Sequence, residues 1–320
     1  MVWGNNQHGF EIDEGSENVD VIDCRAERVM CGFQAKGHDT TRPARNIKFV
    51  RCHAKDNRWS FMITHTARTL STIVGHDVLL RDCTSENPHH DSSKTYNESL
   101  PTDNPIYRPR HVWLFGYENV KIRDITIIGG EGLIEIGYPD TMTAAVDITG
   151  VYWSGGYNGI YKGNDEYGLI HILSGRTTGK HNLKNIKIKD QVYNPVIRCV
   201  DTQLTKGIVI DGVEAVGSNN CPCILTTLNI PSNISNIDSN GFLYALVDSS
   251  VPGDVAKNYG NDLRFQVVDG IAHLVIESNI NGDIHPGRVG NVAISKGTGV
   301  QYRANYNNKG VVGQWVQSSI

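Results

Sequence analysis

Short runs in which apolar and polar residues alternate recur along most of the chain. Asn18-Val19-Asp20-Val21-Ile22-Asp23-Cys24 aligns with Asn46-Ile47-Lys48-Phe49-Val50-Arg51-Cys52 and with Asp77-Val78-Leu79-Leu80-Arg81-Asp82-Cys83. Asn119-Val120-Lys121-Ile122-Arg123-Asp124-Ile125, Asn185-Ile186-Lys187-Ile188 and Gly207-Ile208-Val209-Ile210 extend the series, with weaker copies at Ala145-Val146-Asp147-Ile148 and Asn233-Ile234. An alternation of period two predicts strands with one face in a core. The runs start about 22 to 42 residues apart, and the shorter intervals suit one supersecondary unit per repeat. A single unit cannot bury its apolar face, so the repeats are expected to stack, each strand pairing with its copies at a spacing of ~4.8 Å. The expected fold is all-β: a right-handed parallel β-helix, or solenoid, over residues 1–245, with a smaller β-rich C-terminal region over 246–320 acting as cap or assembly region. On this reading Val19, Ile47, Val78, Val120, Ile186 and Ile208 share one interior row, and Cys24, Cys52 and Cys83 form a column of like side chains.

Two stretches break the repeat. One, from about 84 to 108, is polar and proline-rich; the other, from about 150 to 182, holds Tyr152, Trp153, Tyr157, Tyr161 and Tyr167 among glycines and acids. Both read as loops inserted into the stack, the usual place for function on a rigid repeat.

Composition removes several function classes. The net charge of −4 does not suit a protein whose main partner is nucleic acid. The chain has no apolar run of ~18 residues, so no membrane insertion is expected. The start, Met1-Val2-Trp3-Gly4-Asn5, has neither the charged nor the apolar part of a secretory leader, which predicts synthesis in the cytoplasm. The seven cysteines are odd in number and three belong to the repeat, so they read as buried reduced thiols. Cys221-Pro222-Cys223 lacks zinc-ligand spacing, and His89-His90-Asp91 reads as a polar loop. No metal and no cofactor is assigned.

A second set of runs carries candidate chemistry. Gly132-Leu133-Ile134-Glu135-Ile136 matches Gly168-Leu169-Ile170-His171-Ile172 and Pro195-Val196-Ile197-Arg198-Cys199, with Val112-Trp113-Leu114 one repeat earlier and Met62 before that. If Ile134, Ile170 and Ile197 point inward, alternation turns Trp113, Glu135, His171 and Arg198 outward as a column on one face, bordered by both insertions. Trp113 can then stack on a sugar ring, and Arg110, Trp153 and Tyr161 are further candidate substrate contacts. Two chemistries stay open. Glu135 with Asp140, Asp165 or Glu166 can form the carboxylate pair of a glycosidase. Alternatively, Arg198 can neutralise a uronate carboxylate while His171 or a tyrosine removes the neighbouring proton. The plainer reading is a solvated sheet face carrying cross-strand pairs, with Asp165 and Glu166 as ordinary surface acids.

Arg108-Pro109-Arg110-His111-Val112-Trp113-Leu114-Phe115, followed by Glu118-Asn119-Val120-Lys121-Ile122-Arg123-Asp124-Ile125-Thr126-Ile127, resembles one repeat of the pectin-degrading β-helix enzymes, the polygalacturonases. That family's acidic signatures, Asn-Thr-Asp and Gly-Asp-Asp, and its later His-Gly and Arg-Ile-Lys are absent at the corresponding places. The resemblance therefore implies the fold and a carbohydrate substrate, not the catalytic residues. In general style the chain also resembles bacteriophage tailspike depolymerases, which implies a homotrimer on the virion tail acting on a bacterial surface polysaccharide. The expected function is a polysaccharide depolymerase of that type, working by hydrolysis or β-elimination. The alternatives are a non-catalytic carbohydrate-binding or structural module and a secreted pectinase-like enzyme.

Overall fold

The computed structural model describes residues 8–37, 42, 44–65, 75–89, 108–137, 146–159, 162–163, 167–173, 180–199, 208–218, 221–226 and 232–238, together with strand segments 2–3, 142–143, 176–177, 244–248, 254–257, 263–268, 271–276, 292–295, 301–306 and 312–317. Among these residues the chain is all-β, built on a long sheet of 17 strands and a shorter one of 10. In the shorter sheet Cys31–Gly37 pairs with Trp59–His65, which pairs with Arg110–Phe115, then Leu133–Ile136, Ile170–Ile172, Ile197–Cys199 and Pro222–Thr226, every pairing parallel. Parallel neighbours cannot be joined by a tight turn. Between them the chain crosses to the long sheet, whose strands are stacked in the same order. Parallel strands stacked repeat upon repeat are compatible with a parallel β-helix.

The interior rows follow the alternation. Val19, Ile47, Val78 and Val120 stand in register, and Ile210 pairs with Ile234. Ile186 is not in the first of these rows, contrary to the sequence alignment. The row continues through Val146 and His181 to Ile208, with the Val146 N–H donating to His181 Nδ1 at 3.3 Å. Ile186 instead extends the cysteine column, which runs from Cys24, Cys52 and Cys83 through Ile125, Val151, Ile186 and Val213 to Ile237. The slip has a physical cause: the chain turns at two corners, and Asn or Asp followed by alternating apolar residues marks both. Asn18, Asn46, Asp77 and Asn119 occupy the left-handed region at one corner; Asp23, Arg51, Asp82, Asp124 and Asn185 occupy it at the next. Asn and Asp adopt this conformation more readily than other side-chain-bearing residues. At the first corner Asn46 donates to Asn18 at 2.6 Å and Asn119 donates to Asp77.

Aromatic rings fill the first repeats. Phe10, Phe33 and Phe61 stack at 5.0 and 5.3 Å between centroids, and Phe49 meets Phe33 edge-on at 5.8 Å. Full burial of each such ring contributes about 1.5–3 kcal/mol. The thiols are accommodated as donors: Cys52 and Cys83 each reach a carbonyl oxygen of the preceding repeat, Val21 and Phe49, at 3.3 Å.

Two boundaries differ from the expected ones. Thr84–Glu86 is a strand paired on both sides, so the first interruption begins beyond it. Val146–Ser154 is one continuous strand that includes Tyr152 and Trp153, so the second begins beyond Ser154. Towards the C-terminus the pairing changes character: Ser232–Asp238 meets Leu263–Val268 antiparallel, and Tyr244–Asp248 meets Asp254–Lys257 antiparallel.

Candidate functional site

The shorter sheet brings Trp113, Glu135, His171 and Arg198 into one row. Trp113 pairs with Glu135, Glu135 with His171, His171 with Arg198, and Met62 precedes them opposite Trp113. The alternate row, Phe61, Val112, Ile134, Ile170 and Ile197, faces the core and is fully buried. The register read from sequence therefore holds.

The surroundings differ from the expected open face. Glu135 is 0% exposed, His171 2% and Trp113 4%. Only Arg198 of the four is half-buried. The side of the sheet away from the main core carries its own packed layer, in which Cys31, Trp59, Met62, Trp113 and Phe115 cluster. Trp113 is thus not an open sugar platform. Trp59 and Phe115 lie against it at 5.4 and 5.2 Å, and the Arg110 guanidinium covers its ring at 3.9 Å. The sequence signal for this was slight: in Trp59-Ser60-Phe61-Met62-Ile63-Thr64-His65 the outward parity holds small Ser60 and Thr64 with apolar Met62 and no charge, and all seven are buried.

Glu135 sits at the centre of an ion cluster. Its Oε1 accepts from Arg110 Nε at 3.0 Å and Nη2 at 2.8 Å, and its Oε2 lies 2.8 Å from Arg108 Nη2. Arg110 also donates through Nη1 to the Arg108 carbonyl at 3.0 Å. Arg110 is 0% exposed, so it positions Glu135 and caps Trp113 rather than standing in a solvent-filled groove. Arg108 lies over the Tyr167 ring at 5.2 Å, and Tyr167 meets His171 edge-on at 5.4 Å. Arg198 Nη1 is 3.1 Å from His171 Nε2. A guanidinium only donates, so Nε2 accepts and the ring proton is on Nδ1. Burial, reinforced by Arg198, Arg108 and Arg110, pushes the His171 pKa well below the ordinary imidazole value. His171 is therefore neutral at neutral pH.

Sequence reasoning passed over Arg108 and Tyr167 as site residues. Arg108 opens the Arg-Pro-Arg turn right after the first polar interruption, which is the feature that marks it. Trp153, expected to touch substrate, belongs to the core. It is 1% exposed, shares the interior row of Ile127 and Ile188, and meets His111 edge-on at 4.9 Å. Alternation along Val146–Ser154 sends its side chain inward and Tyr152 outward. Tyr161, Asp165 and Glu166 lie outside the described residues.

Among the described residues the cluster brings three guanidinium groups and the Glu135 carboxylate around a neutral imidazole, and it reaches the surface at Arg198 and Tyr167, which are half-buried. Such an arrangement can hold an anion, and His171 can accept a proton at Nε2 once Arg198 turns from it to that anion. Comparison with protein families, with curated proteins and with solved structures finds no match to the chain.

Proposed function

We propose that the chain is a right-handed parallel β-helix that acts as a polysaccharide depolymerase of the phage tailspike type, cleaving a uronate-containing bacterial surface glycan by β-elimination. The observation that carries this reading is the convergence of Arg108, Arg110 and Arg198 on Glu135 and His171, with Arg198 at the half-buried edge of the cluster. A uronate carboxylate entering beside Arg198 and Tyr167 finds a charge-assisted partner. Its neutralisation acidifies the adjacent ring C–H. Arg198, turning from His171 to that carboxylate, frees His171 Nε2, which takes the proton; the C–C double bond forms, and the glycosidic C–O bond breaks with its electron pair leaving on oxygen, which is protonated by water. Burial is the main cause that holds His171 neutral, and the anion offsets the added repulsion from Arg198, Arg108 and Arg110, which makes the ring a better base once substrate is bound. Two-carboxylate hydrolysis fits less well, because Glu135 is fully buried, with Oε1 accepting from Arg110 and Oε2 ion-paired to Arg108, out of reach of a glycosidic oxygen.

The test is to incubate the protein with uronate-containing capsular and O-antigen polysaccharides, size the products and follow ultraviolet absorbance. Shortened chains bearing the conjugated unsaturated uronate are expected, with Arg198→Ala losing at least tenfold in rate. Intact polymer throughout counts against depolymerisation. Shortened chains without new absorbance return hydrolysis to the fore, with Asp165 and Glu166 as the residues to examine. The tailspike reading also entails a homotrimer, checked by solution mass.

A second reading, a binding or structural module, is favoured by the complete burial of Glu135 between Arg108 and Arg110. Breaking a buried pair of this kind costs about 3–5 kcal/mol. Glu135→Gln is therefore expected to lower the urea midpoint markedly under either reading. Unchanged glycan binding in His171→Ala, with no cleavage by the wild type, would favour the module.

A further inference from the structure

On the long sheet, away from the Glu135 cluster, a groove of about 780 Å³ crosses five successive strands. Its floor is a corner row, Asp124, Gly150, Asn185, Gly212 and Asn236, all in the left-handed region with φ of 54°, 79°, 54°, 79° and 55°. Side chains and glycines alternate along it, and a Cβ at Gly150 would collide with the Asp124 carboxylate that leans across it. Beside the floor runs the outward row Thr126, Tyr152, Lys187, Glu214 and Asp238, paired strand to strand in that order. Four steps of ~4.8 Å make the groove about 19 Å long, room for a short oligosaccharide.

The chemistry of the lining selects among ligands. Tyr152 is 40% exposed and offers an aromatic edge and face at the groove wall, suited to the apolar C–H face of a pyranose. Asp124, Asn185, Glu214, Asn236 and Asp238 supply acceptors at regular intervals, and sugar hydroxyls are donors. Three carboxylates, Asp124, Glu214 and Asp238, line the groove with one lysine, Lys187, which pairs with Glu214 at 2.8 Å, so the lining carries net negative charge. That charge repels polyuronates, phosphates and nucleic acids. We propose that this groove is a glycan-binding site for neutral or amino-sugar segments of a polysaccharide, distinct from the arginine cluster and needing no cleavage there. It is a grip that holds a chain along the stack of strands.

An array of bacterial O-antigen and capsular oligosaccharides, probed with the full chain, tests this. Binding to neutral or amino-sugar glycans is expected to fall at least tenfold in Tyr152→Ala and in the double variant Glu214→Gln, Asp238→Asn. Tyr152→Phe, which keeps the ring, and Arg198→Ala, which lies on the other sheet, are expected to retain it. Circular dichroism checks that each variant is folded; all four positions are at least partly exposed. Binding unaffected by the groove variants, a preference for polyanionic glycans, or no binding anywhere on the array overturns the proposal. Loss of cleavage in Arg198→Ala with binding intact separates this site from the depolymerase reading.

Discussion

His111 and His181 are imidazoles placed inside otherwise apolar surroundings. His111 is fully buried with Nδ1 2.6 Å from Ser85 Oγ, and His181 holds a position that Val146 and Ile208 occupy in the adjacent repeats. Burial pushes their pKa values down to about 3 and about 4. Both lie below the unfolded value of about 6.5, so the unfolded chain binds protons more readily. Their contribution is complete above pH ~6.5 and is lost progressively as pH falls, through about 4 for His181 and about 3 for His111. Each is worth at most about 3–5 kcal/mol over that range. Urea midpoints measured from pH 7 to 4 are therefore expected to drop steadily, and His181→Leu is expected to flatten the slope. A midpoint constant across that interval would contradict the placement of both rings. His181 also shows where residue-level reading fails. An interior row was sought among apolar residues, and a neutral histidine filled the slot that Ile186 was expected to take.

At the scale of strands and corners, much of the arrangement was legible in the sequence. The equivalence of Ile134, Ile170 and Ile197 followed from β-branched residues alternating with Glu135, His171 and Arg198, and it set the pairing of the whole candidate row. What alternation could not tell was which side of the sheet meets water. A residue that points away from one core can point into a second layer, as Trp113 and Glu135 do. Trp153 failed for a related reason: its neighbours suggested a loop, whereas the strand continues through it and parity turns it inward. The corners are testable as elements. Gly150 combines φ of 79° with the Asp124 side chain lying where a Cβ would be. Gly150→Ala is expected to destabilise by about 1–2 kcal/mol or more. Asn185→Gly, at the next repeat of the same corner, is expected to change stability little, because glycine reaches φ of 54° without strain. Equal losses from both in urea unfolding would mean that side-chain contacts, not backbone conformation, govern the corner.

Across the whole molecule, each stacked strand touches chiefly the copies on either side, so stability is the sum of local interfaces. The outer surface of the long sheet is laced by pairs between successive repeats: Lys48 with Asp20, Arg51 with Asp23, Lys55 with Glu86, Lys187 with Glu214. Exposed pairs of this kind contribute about 0–1 kcal/mol each. Their consistent placement does more for register, since a slip of one residue would turn every pair inward. The strongest interfaces lie where both faces of a strand are covered, at Trp59–His65, Arg110–Phe115 and Leu133–Ile136, all entirely buried. Cooperative units with the densest burial open last. Amide exchange is therefore expected to be slowest in these three strands, and faster in Glu17–Ile22, whose side chains are largely exposed. Ile208–Glu214, buried on one face only, should fall between. Glu135→Gln should lower protection first at Arg110–Phe115 and Leu133–Ile136, the strands its ion pairs join, and leave Glu17–Ile22 unchanged. A uniform fall along the chain would instead mean that the stack unfolds as one unit, with the ion cluster bearing on global stability and not on its own neighbourhood.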